Sequence, residues 1–259
     1  MEYPKTSLVA NGLVAVPETG STNQDLLAKA QSDNLPEFFT LVTEFQTAGR
    51  GRLDRKWQAA PGSSVMASVL LRPSFKEQSG IGWLSLMMAE AIKTALAELG
   101  VRSKIKWPND VLVDGLKISG VLAEANSDLS ALVIGFGINV NQTAEDLPTS
   151  SSTSLSLSEA SSLDRDELLA QTLSHFRDLY MELTEADGNA MVSGLRERIT
   201  KASSTVGQLV EVSFPDGTSV VGEAINIDES GRLQVRTSGK TLTVSAGDVL
   251  HLRAAKLED

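Results

Sequence analysis

The apolar periodicity of this 259-residue chain changes near residue 205. Before that point helix-like and strand-like patterns alternate. After it the chain shows short alternating runs separated by Asp-Gly, Ser-Gly and Ala-Gly pairs. Alternation with frequent turn residues is typical of a small all-β unit. The sequence therefore predicts an α+β fold with a barrel-like β unit at the end, divided into domains at residues 1–203 and 204–259.

The clearest element of the larger domain is a helix over residues 82–100. Leu84, Met88 and Ile92 recur at helical spacing, and Gly100 is a natural end. Ser21 followed by Gln24 predicts a capping box at another helix start. The patterns also predict strands over 38–46, 63–73 and 129–143, helices over 165–183 and 189–200, and a mobile serine-rich connection over 147–162.

Composition excludes several classes of site. The chain has no cysteine and two histidines, which excludes a cysteine-type zinc site, a thiol nucleophile and a cysteine redox pair. A formal net charge of -10 argues against a nucleic-acid-binding protein, whose binding face is usually basic. The start of the chain lacks a signal-peptide pattern and no segment approaches the length of a membrane span, so a cytoplasmic protein is predicted.

Four cations lie within seven residues of this acidic chain, in the stretch "GRGRLDRKW" at 49–57. Gly49 and Gly51 lack Cβ, so the backbone there can approach a ligand and its N–H groups can form an anion-binding concavity. The arginines add forked donors for carboxylate or phosphate. Taken alone, the stretch is more typical of a solvated turn between strands than of a binding loop.

The stretch "KWPNDVLVDGLKIS" at 106–119 predicts a hairpin, because Asp-Gly lies between two apolar runs. A two-residue turn would place Asp110, Leu112, Lys117 and Ser119 on one face, with Asp110 and Lys117 diagonal neighbours roughly 7–8 Å apart at Cα. The pair is either a surface ion pair of little energetic value or a fixed cation that holds a carboxylate or phosphate.

The stretch "GFGINVN" at 135–141 ends an apolar strand run. Its glycines, Gly135 and Gly137, would admit either a close ligand or a crossing strand. Asn139 is a candidate hydrogen-bonding group for a ribose or phosphate. The residues alone do not decide between these alternatives.

Six motifs in order resemble those of biotin–protein ligases, and the resemblance spans nearly the whole chain. They are "STNQD" at 21–25, "EFQTAGRGR" at 44–52, "KWPND" at 106–110, "GLKISGVLAE" at 115–124, "GFGINVN" at 135–141 and a β unit ending "GDVLHLR" at 247–253. The resemblance implies a catalytic domain of the biotin/lipoate ligase type, which is class II synthetase-like. That domain has a mixed sheet flanked by helices and is followed by an SH3-like barrel.

The resemblance also implies a two-step reaction. Biotin attacks the α-phosphate of ATP to give biotinyl-5′-AMP, and a lysine of a biotin carboxyl carrier domain then takes the biotin. Magnesium is expected on the ATP phosphates, with Asp110 as a further ligand. The implied catalytic residues are Lys117, Arg52 and Asp110. The implied biotin-binding residues are Ser21, Thr22, Asn23, Gln46, Gly49, Arg50, Gly51, Arg52, Lys117 and Gly120. The implied ATP- and adenylate-binding residues are Arg50, Arg52, Arg55, Trp57, Lys106, Asn109, Asp110, Lys117 and Asn139.

Departures from the family pattern and rival functions complete these expectations. Asp54 stands where the family loop often has glycine, and only about twenty residues precede "STNQD", so no DNA-binding domain is expected. A monomer or weak homodimer is expected. The alternatives are a lipoate or octanoate ligase, which shares the fold, a non-catalytic biotin sensor, and a nucleic-acid protein using "GRGRLDRK" as a basic patch.

Overall fold

The computed structural model describes residues 2–52, 55–75, 78–127, 129–214 and 218–245, in which two β-sheets stand out. The larger sheet has seven strands in the order β1-β2-β3-β7-β6-β5-β4, with β1 parallel to β2 and the other pairs antiparallel. Its strands are β1 Leu13–Val16, β2 Thr40–Thr43, β3 Ser64–Leu71, β4 Lys104–Lys106, β5 Asp110–Val113, β6 Leu116–Ala125 and β7 Leu132–Asn139.

The second sheet is antiparallel, with four described strands in the order β11-β10-β9-β8. These are β8 Leu209–Ser213, β9 Ser219–Ile227, β10 Leu233–Arg236 and β11 Thr241–Val244. The helices are α1 Pro4–Val9, α2 Thr22–Ser32, α3 Leu84–Glu98, α4 Arg165–Glu185 and α5 Leu195–Ala202, with a 3-10 turn at Gln78–Trp83 before α3. None of the described helices combines the length and the apolar composition needed to cross a bilayer.

The seven-stranded sheet is a middle layer with apolar side chains on both faces. Val42 of β2 belongs to the main core beneath α3 and α4, whereas its neighbour Leu41 packs with Leu26 of α2 in a smaller core on the opposite face. Successive side chains of a strand point to opposite faces, so a strand covered on both sides is apolar throughout. This explains why β3 and β7 are buried along their whole length. The predicted α+β class and the predicted helices and strands are confirmed.

Three local predictions are wrong in detail. Ser21 occupies the N-cap position of α2, yet its side chain makes no capping hydrogen bond, and Gln24 is exposed. The serine-rich stretch 147–162 is anchored at its middle, since Thr153, Ser154 and Leu155 are buried, while most of its other residues are exposed. The helix predicted from residue 189 begins at Leu195, because Gly194 precedes it in the left-handed region at φ 75°.

The C-terminal sheet shares the main apolar core with the larger domain, and its turn at residues 228–232 adds two specific contacts. The indole N–H of Trp83 donates to the Glu229 carbonyl at 2.8 Å, and that of Trp107 donates to the Gly231 carbonyl at 2.9 Å. Asp228 closes the turn by accepting from the backbone N–H groups of residues 230 and 232. The domain boundary at residues 203 and 204 stays a prediction, and the predicted Ala246-Gly247 turn lies outside the described residues.

Candidate active site

A cleft of about 350 Å³ opens where α2, β5, β6 and β7 come together. One wall, here called the α2 side, is formed by the first turn of α2 and by Gln46. The opposite wall, the hairpin side, is formed by β5 and the start of β6. The lining residues are Ser21, Thr22, Asn23, Gln46, Arg50, Gly51, Arg52, Arg55, Lys56, Trp57, Lys106, Trp107, Pro108, Asn109, Asp110, Leu112, Gly115, Lys117, Gly120, Val121, Leu122, Gly135, Phe136, Gly137 and Ser151.

Residues 49–52 and 55–57, here called the flap, run as two arms along the cleft. The Gly51 N–H donates to the Arg55 carbonyl at 2.6 Å, and the Trp57 N–H donates to the Gly49 carbonyl at 3.0 Å. A Cβ on Gly49 would lie 2.5 Å from the Trp57 carbonyl oxygen, so glycine is needed for the two arms of the flap to meet. Gly49 itself does not line the cleft, and Asp54 lies outside the described residues.

The α2 side presents polar groups that are held in place by one another. The backbone N–H of Thr22 donates to Gln46 Oε1 at 2.8 Å. Asn23, with 4% exposure, accepts from Ser68 Oγ at 2.7 Å, and its amide donates to the Leu122 carbonyl at 3.1 Å and to Glu124 Oε2 at 2.9 Å. Both amide hydrogens of Asn23 are therefore engaged within the protein.

The hairpin side carries a facing cation and anion. Asp114 and Gly115 have φ of 49° and 82°, and Val113 pairs with Leu116 as predicted for a two-residue turn. Lys117 Nζ lies 2.7 Å from Asp110 Oδ1, an ion-pair distance without hydrogen-bond alignment. The predicted neighbourhood of these two residues is confirmed.

A β-bulge next to this pair corrects one residue of the predicted face. The register of β5 and β6 shifts between Val111 and Leu112, so that Asp110 pairs with Gly120 and Val111 pairs with Ser119. Ser119 is fully buried and does not line the cleft. An extra residue in one strand moves every later side chain to a new partner, and the two-residue turn did not reveal it.

Arg52 connects the flap to the hairpin side. Its Nη1 donates to Asn109 Oδ1 at 3.4 Å, while Asn109 Nδ2 donates to the Val121 carbonyl at 2.6 Å. Burial lowers the pKa of the Arg52 guanidinium, against the opposing effect of Asp110 and in the same direction as Arg55. A guanidinium stays protonated under these conditions, so a partly desolvated cation faces the cleft through a long, neutral contact.

The two glycines of β7 admit side chains of the site itself. A Cβ on Gly135 would lie 2.1 Å from Asn23 Oδ1, and a Cβ on Gly137 would lie 2.3 Å from the indole ring of Trp57. The space beside each glycine is therefore filled by a side chain of the site. The indole N–H of Trp57 is buried against Gly137 without a hydrogen-bond partner among the described residues.

The structure gathers the predicted site residues around one cleft, with the exception of Gly49 and Asn139. Asn139 is buried, donates to the Thr153 carbonyl at 2.9 Å and accepts from Gln142 at 3.1 Å. It thus holds the serine-rich stretch in place. Sequence reasoning placed Leu112 on this face but missed the rest of the apolar wall, Val121, Leu122 and Phe136, which carries no signal distinct from ordinary core.

Ser151 was also missed, because only tertiary contact brings it to the cleft. The backbone N–H of Lys117 donates to the Ser151 carbonyl at 2.8 Å, and the Thr153 N–H donates to the Lys117 carbonyl at 2.8 Å.

Within the described ranges, no group of three or more His, Asp or Glu side chains is arranged to hold a metal ion. Among the described residues, six cations and the Asp110 carboxylate line the cleft, an arrangement suited to an anionic ligand.

Comparisons with known proteins agree with this chemistry. Residues 16–139 match the biotin/lipoate A/B protein ligase family, and residues 205–252 match the biotin protein ligase C-terminal domain. A biotin–[acetyl-CoA-carboxylase] ligase of Mycobacterium tuberculosis is 38% identical over 93% of this chain and 89% of its own length. The bifunctional ligase/repressor BirA of Bacillus subtilis is 31% identical over 95% of this chain and 75% of its own.

The fold has a close relative among solved structures. The biotin protein ligase from Aquifex aeolicus in complex with biotin and ATP superposes with a TM-score of 0.78 at 26% identity, covering 95% of this chain and all of that one. The agreement extends through both sheets, since nearly the full length of each chain is included. By its sequence and its fold, this chain belongs to the biotin protein ligase family.

Proposed function

We propose that the chain activates biotin with ATP to biotinyl-5′-AMP and then transfers biotin to a lysine of a biotin carboxyl carrier domain. The observation that carries the proposal is the single cleft that joins a polar α2 side to a cationic hairpin side. Family membership gives the reaction its type, and the named carboxylase ligase relative directs the proposal to the carrier domain of a carboxylase.

The first step brings two anions together. A carboxylate oxygen of biotin attacks the α-phosphorus of ATP, a new O–P bond forms, and the bond to pyrophosphate breaks. Lys117 and Arg52 face the same space from the hairpin and the flap, so their charges oppose the repulsion between carboxylate and phosphate. Fixed cations of this kind stabilise the charge that grows in the transition state without reorganising.

The proposed division of the cleft follows its two sides. The α2 side takes the ring system of biotin through Ser21, Thr22 and Gln46, with Asn23 as a support whose amide hydrogens are already engaged. The hairpin side takes the nucleotide through Lys106 and Asn109, together with Arg52 and Arg55 of the flap. Trp57 lines the cleft with its indole ring packed against Gly137 of β7, and this ring is a surface for the bound acyl-adenylate.

Magnesium fits this site as an ion held mainly by the nucleotide. Mg²⁺ keeps several waters and commonly binds through one or two carboxylates together with substrate phosphates. Asp110 supplies one carboxylate at the cleft, and the described residues offer no cluster that would hold the ion without ATP. When bound, the ion would neutralise phosphate charge, while Asp110 also orients Lys117 at 2.7 Å.

The second step consumes the mixed anhydride. The carrier lysine attacks the acyl carbon as a free amine, a C–N bond forms, and AMP leaves with the electrons of the broken C–O bond. Water competes for the same carbon, so the flap both binds the intermediate and excludes water from it. The expected cytoplasmic location and the expected monomer or weak dimer stay predictions.

The decisive experiment asks which acyl-adenylate forms. Purified protein is incubated with ATP, Mg²⁺ and either biotin or lipoate, and the products are identified by mass spectrometry. Biotinyl-5′-AMP alone is expected. Lipoyl-AMP would support the lipoate ligase alternative, and bound biotin without either adenylate would support a sensor.

The assignment of Lys117 has its own test. Replacing Lys117 with alanine is expected to reduce adenylate formation by at least about 100-fold, the usual scale for one preorganised charge. The matched control is Lys201, an exposed lysine of α5 that does not line the cleft. Its Nζ lies 2.7 Å from Glu197 Oε1. Activity of Lys117→Ala within a few-fold of the wild type would remove this residue from the mechanism.

A further inference from the structure

A carboxylate outside the cleft lining joins the flap to the α2 side. Glu124 of β6 accepts from Arg50 Nη1 at 3.0 Å through Oε1 and from Asn23 Nδ2 at 2.9 Å through Oε2. Its two oxygens therefore bind one group from each side of the cleft rim. The proposed chemistry does not use Glu124, and the family motifs assigned no role to it.

The buried side chain of Asn23 fixes the position of the Glu124 carboxylate. Asn23 cannot rotate freely, because Ser68 and the Leu122 carbonyl hold the other groups of its amide and Gly135 gives it room against β7. One oxygen of Glu124 is thereby fixed at a residue with 4% exposure. The other oxygen is presented in a fixed direction to Arg50, whose side chain is 46% exposed. Preorganised, charge-assisted acceptors of this kind hold their donors more strongly than freely rotating ones.

The two flap arginines are held in different ways. Arg50 donates directly to a carboxylate at 3.0 Å, whereas Arg52 donates to the Asn109 amide oxygen at 3.4 Å and has the Asp110 carboxylate nearby without direct contact. A cation that already has an anion bound to it is a poorer phosphate ligand, because the ion pair must break first. Arg50 is therefore suited to anchoring the flap, and Arg52 is suited to binding a phosphate.

We infer that Glu124 is a positioning residue that holds the flap over the biotin side of the cleft through Arg50. This inference rests on the proposed function. It assigns Arg50 to flap anchoring and leaves Arg52 as the phosphate cation. Glu124 then governs how long biotin stays bound before ATP arrives, and it does not govern the rate of the chemical step.

The test measures biotin dissociation in the absence of ATP, by stopped-flow displacement from the full-length protein. Glu124→Gln keeps the shape of the side chain but removes its charge and one of its two acceptors. We expect biotin to dissociate about 10-fold faster, the scale of one charge-assisted contact. Single-turnover adenylation at saturating biotin and ATP is expected to stay within about two-fold of the wild type.

Glu223→Gln is the matched control, since Glu223 pairs with Arg236 at 3.3 Å on the exposed C-terminal sheet. Arg50→Gln removes the same ion pair from its exposed side. This variant leaves the buried contact between Glu124 and Asn23 intact, so its folding is not at risk from the loss of that contact. It is expected to accelerate dissociation by a similar factor. The double variant is expected to dissociate no faster than either single variant, because both remove one interaction.

Three outcomes would overturn the inference. Biotin dissociation from Glu124→Gln within two-fold of the wild type would show that the pair does not hold the flap. Multiplying effects in the double variant would show that Arg50 and Glu124 act separately. A large loss of adenylation at saturating substrates would make Glu124 part of the chemistry. If the wild type itself bound no biotin, the proposed function would fail instead.

Discussion

Placing a methyl group on Gly137 tests whether the flap must rest against β7. The added Cβ would lie 2.3 Å from two carbons of the Trp57 indole and 2.8 Å from its nitrogen, where ordinary contact begins at 3.4 Å. The ring must therefore move outward by about 1.1 Å. Gly137 pairs with Met66 and Gly120 inside the sheet, and alanine is compatible with that backbone, so the strain falls on the flap.

A displacement of about 1 Å in a positioning residue can cost about 100-fold in rate. For Gly137→Ala we expect kcat/KM for biotin in adenylate formation to fall about 100-fold, or about 2.7 kcal/mol. The free energy of unfolding is expected to change by less than about 1 kcal/mol, because the half-buried Trp57 moves and the core does not. Pyrophosphate release measures the first quantity, and urea denaturation measures the second.

Gly20→Ala is the matched control, since a Cβ at Gly20 meets nothing within 4 Å although the residue adjoins Ser21. Combining Gly137→Ala with Trp57→Leu removes the clash, so the double variant is expected to be no worse than Trp57→Leu alone. Activity of Gly137→Ala within about three-fold of the wild type would refute the reasoning. So would a double variant showing the product of the two single losses.

Three further predictions concern stability and the metal. Burial raises the pKa of Glu90, against the opposing charge of Lys93, so the folded protein holds this proton more tightly than the unfolded chain does. The free energy of unfolding then falls as pH rises from the ordinary glutamate pKa through the folded-state pKa. Urea titrations at pH 5 and pH 8 should show a smaller fall in Glu90→Gln than in the wild type. An equal fall in both proteins would contradict the prediction. Trp107→Phe leaves the Gly231 carbonyl without its donor and should lower the free energy of unfolding by about 1–2 kcal/mol. An unchanged free energy of unfolding would show that this hydrogen bond does not stabilise the attachment of the C-terminal sheet. Chelating Mg²⁺ should abolish adenylate formation but leave biotin binding, measured by tryptophan fluorescence, within about two-fold; adenylate formed with the chelator present would count against the metal.

Local chemistry explains the parts of the fold that were predicted correctly. Asp114-Gly115 produces its turn because both residues adopt positive φ, at 49° and 82°, whatever surrounds them. The helix α3 follows from apolar spacing, and its end follows from Gly100 at φ 80°. Such signals lie within a few residues of one another, so they can be read along the chain.

Tertiary contact decided the points that were missed. The bulge that redirects Ser119 depends on how β6 pairs with both β5 and β7, so the hairpin alone could not reveal it. The serine-rich stretch has the composition of a mobile connection, yet its backbone hydrogen-bonds to Lys117 and buries Leu155. Composition indicates how flexible a segment is when it is isolated in water, but it does not indicate which part of the folded protein the segment packs against.

The order of the motifs along the chain, with the charge of the flap and the turn chemistry, was enough to indicate the family and most of the cleft residues. These properties depend on residue type and short spacing. The contact between Asn23 and Glu124 joins residues 101 positions apart, and the glycine gaps that receive Asn23 and Trp57 exist only once α2 and the flap lie against β7. Which residues face each other across such distances is set by strand register and packing, and no short-range pattern encodes that arrangement.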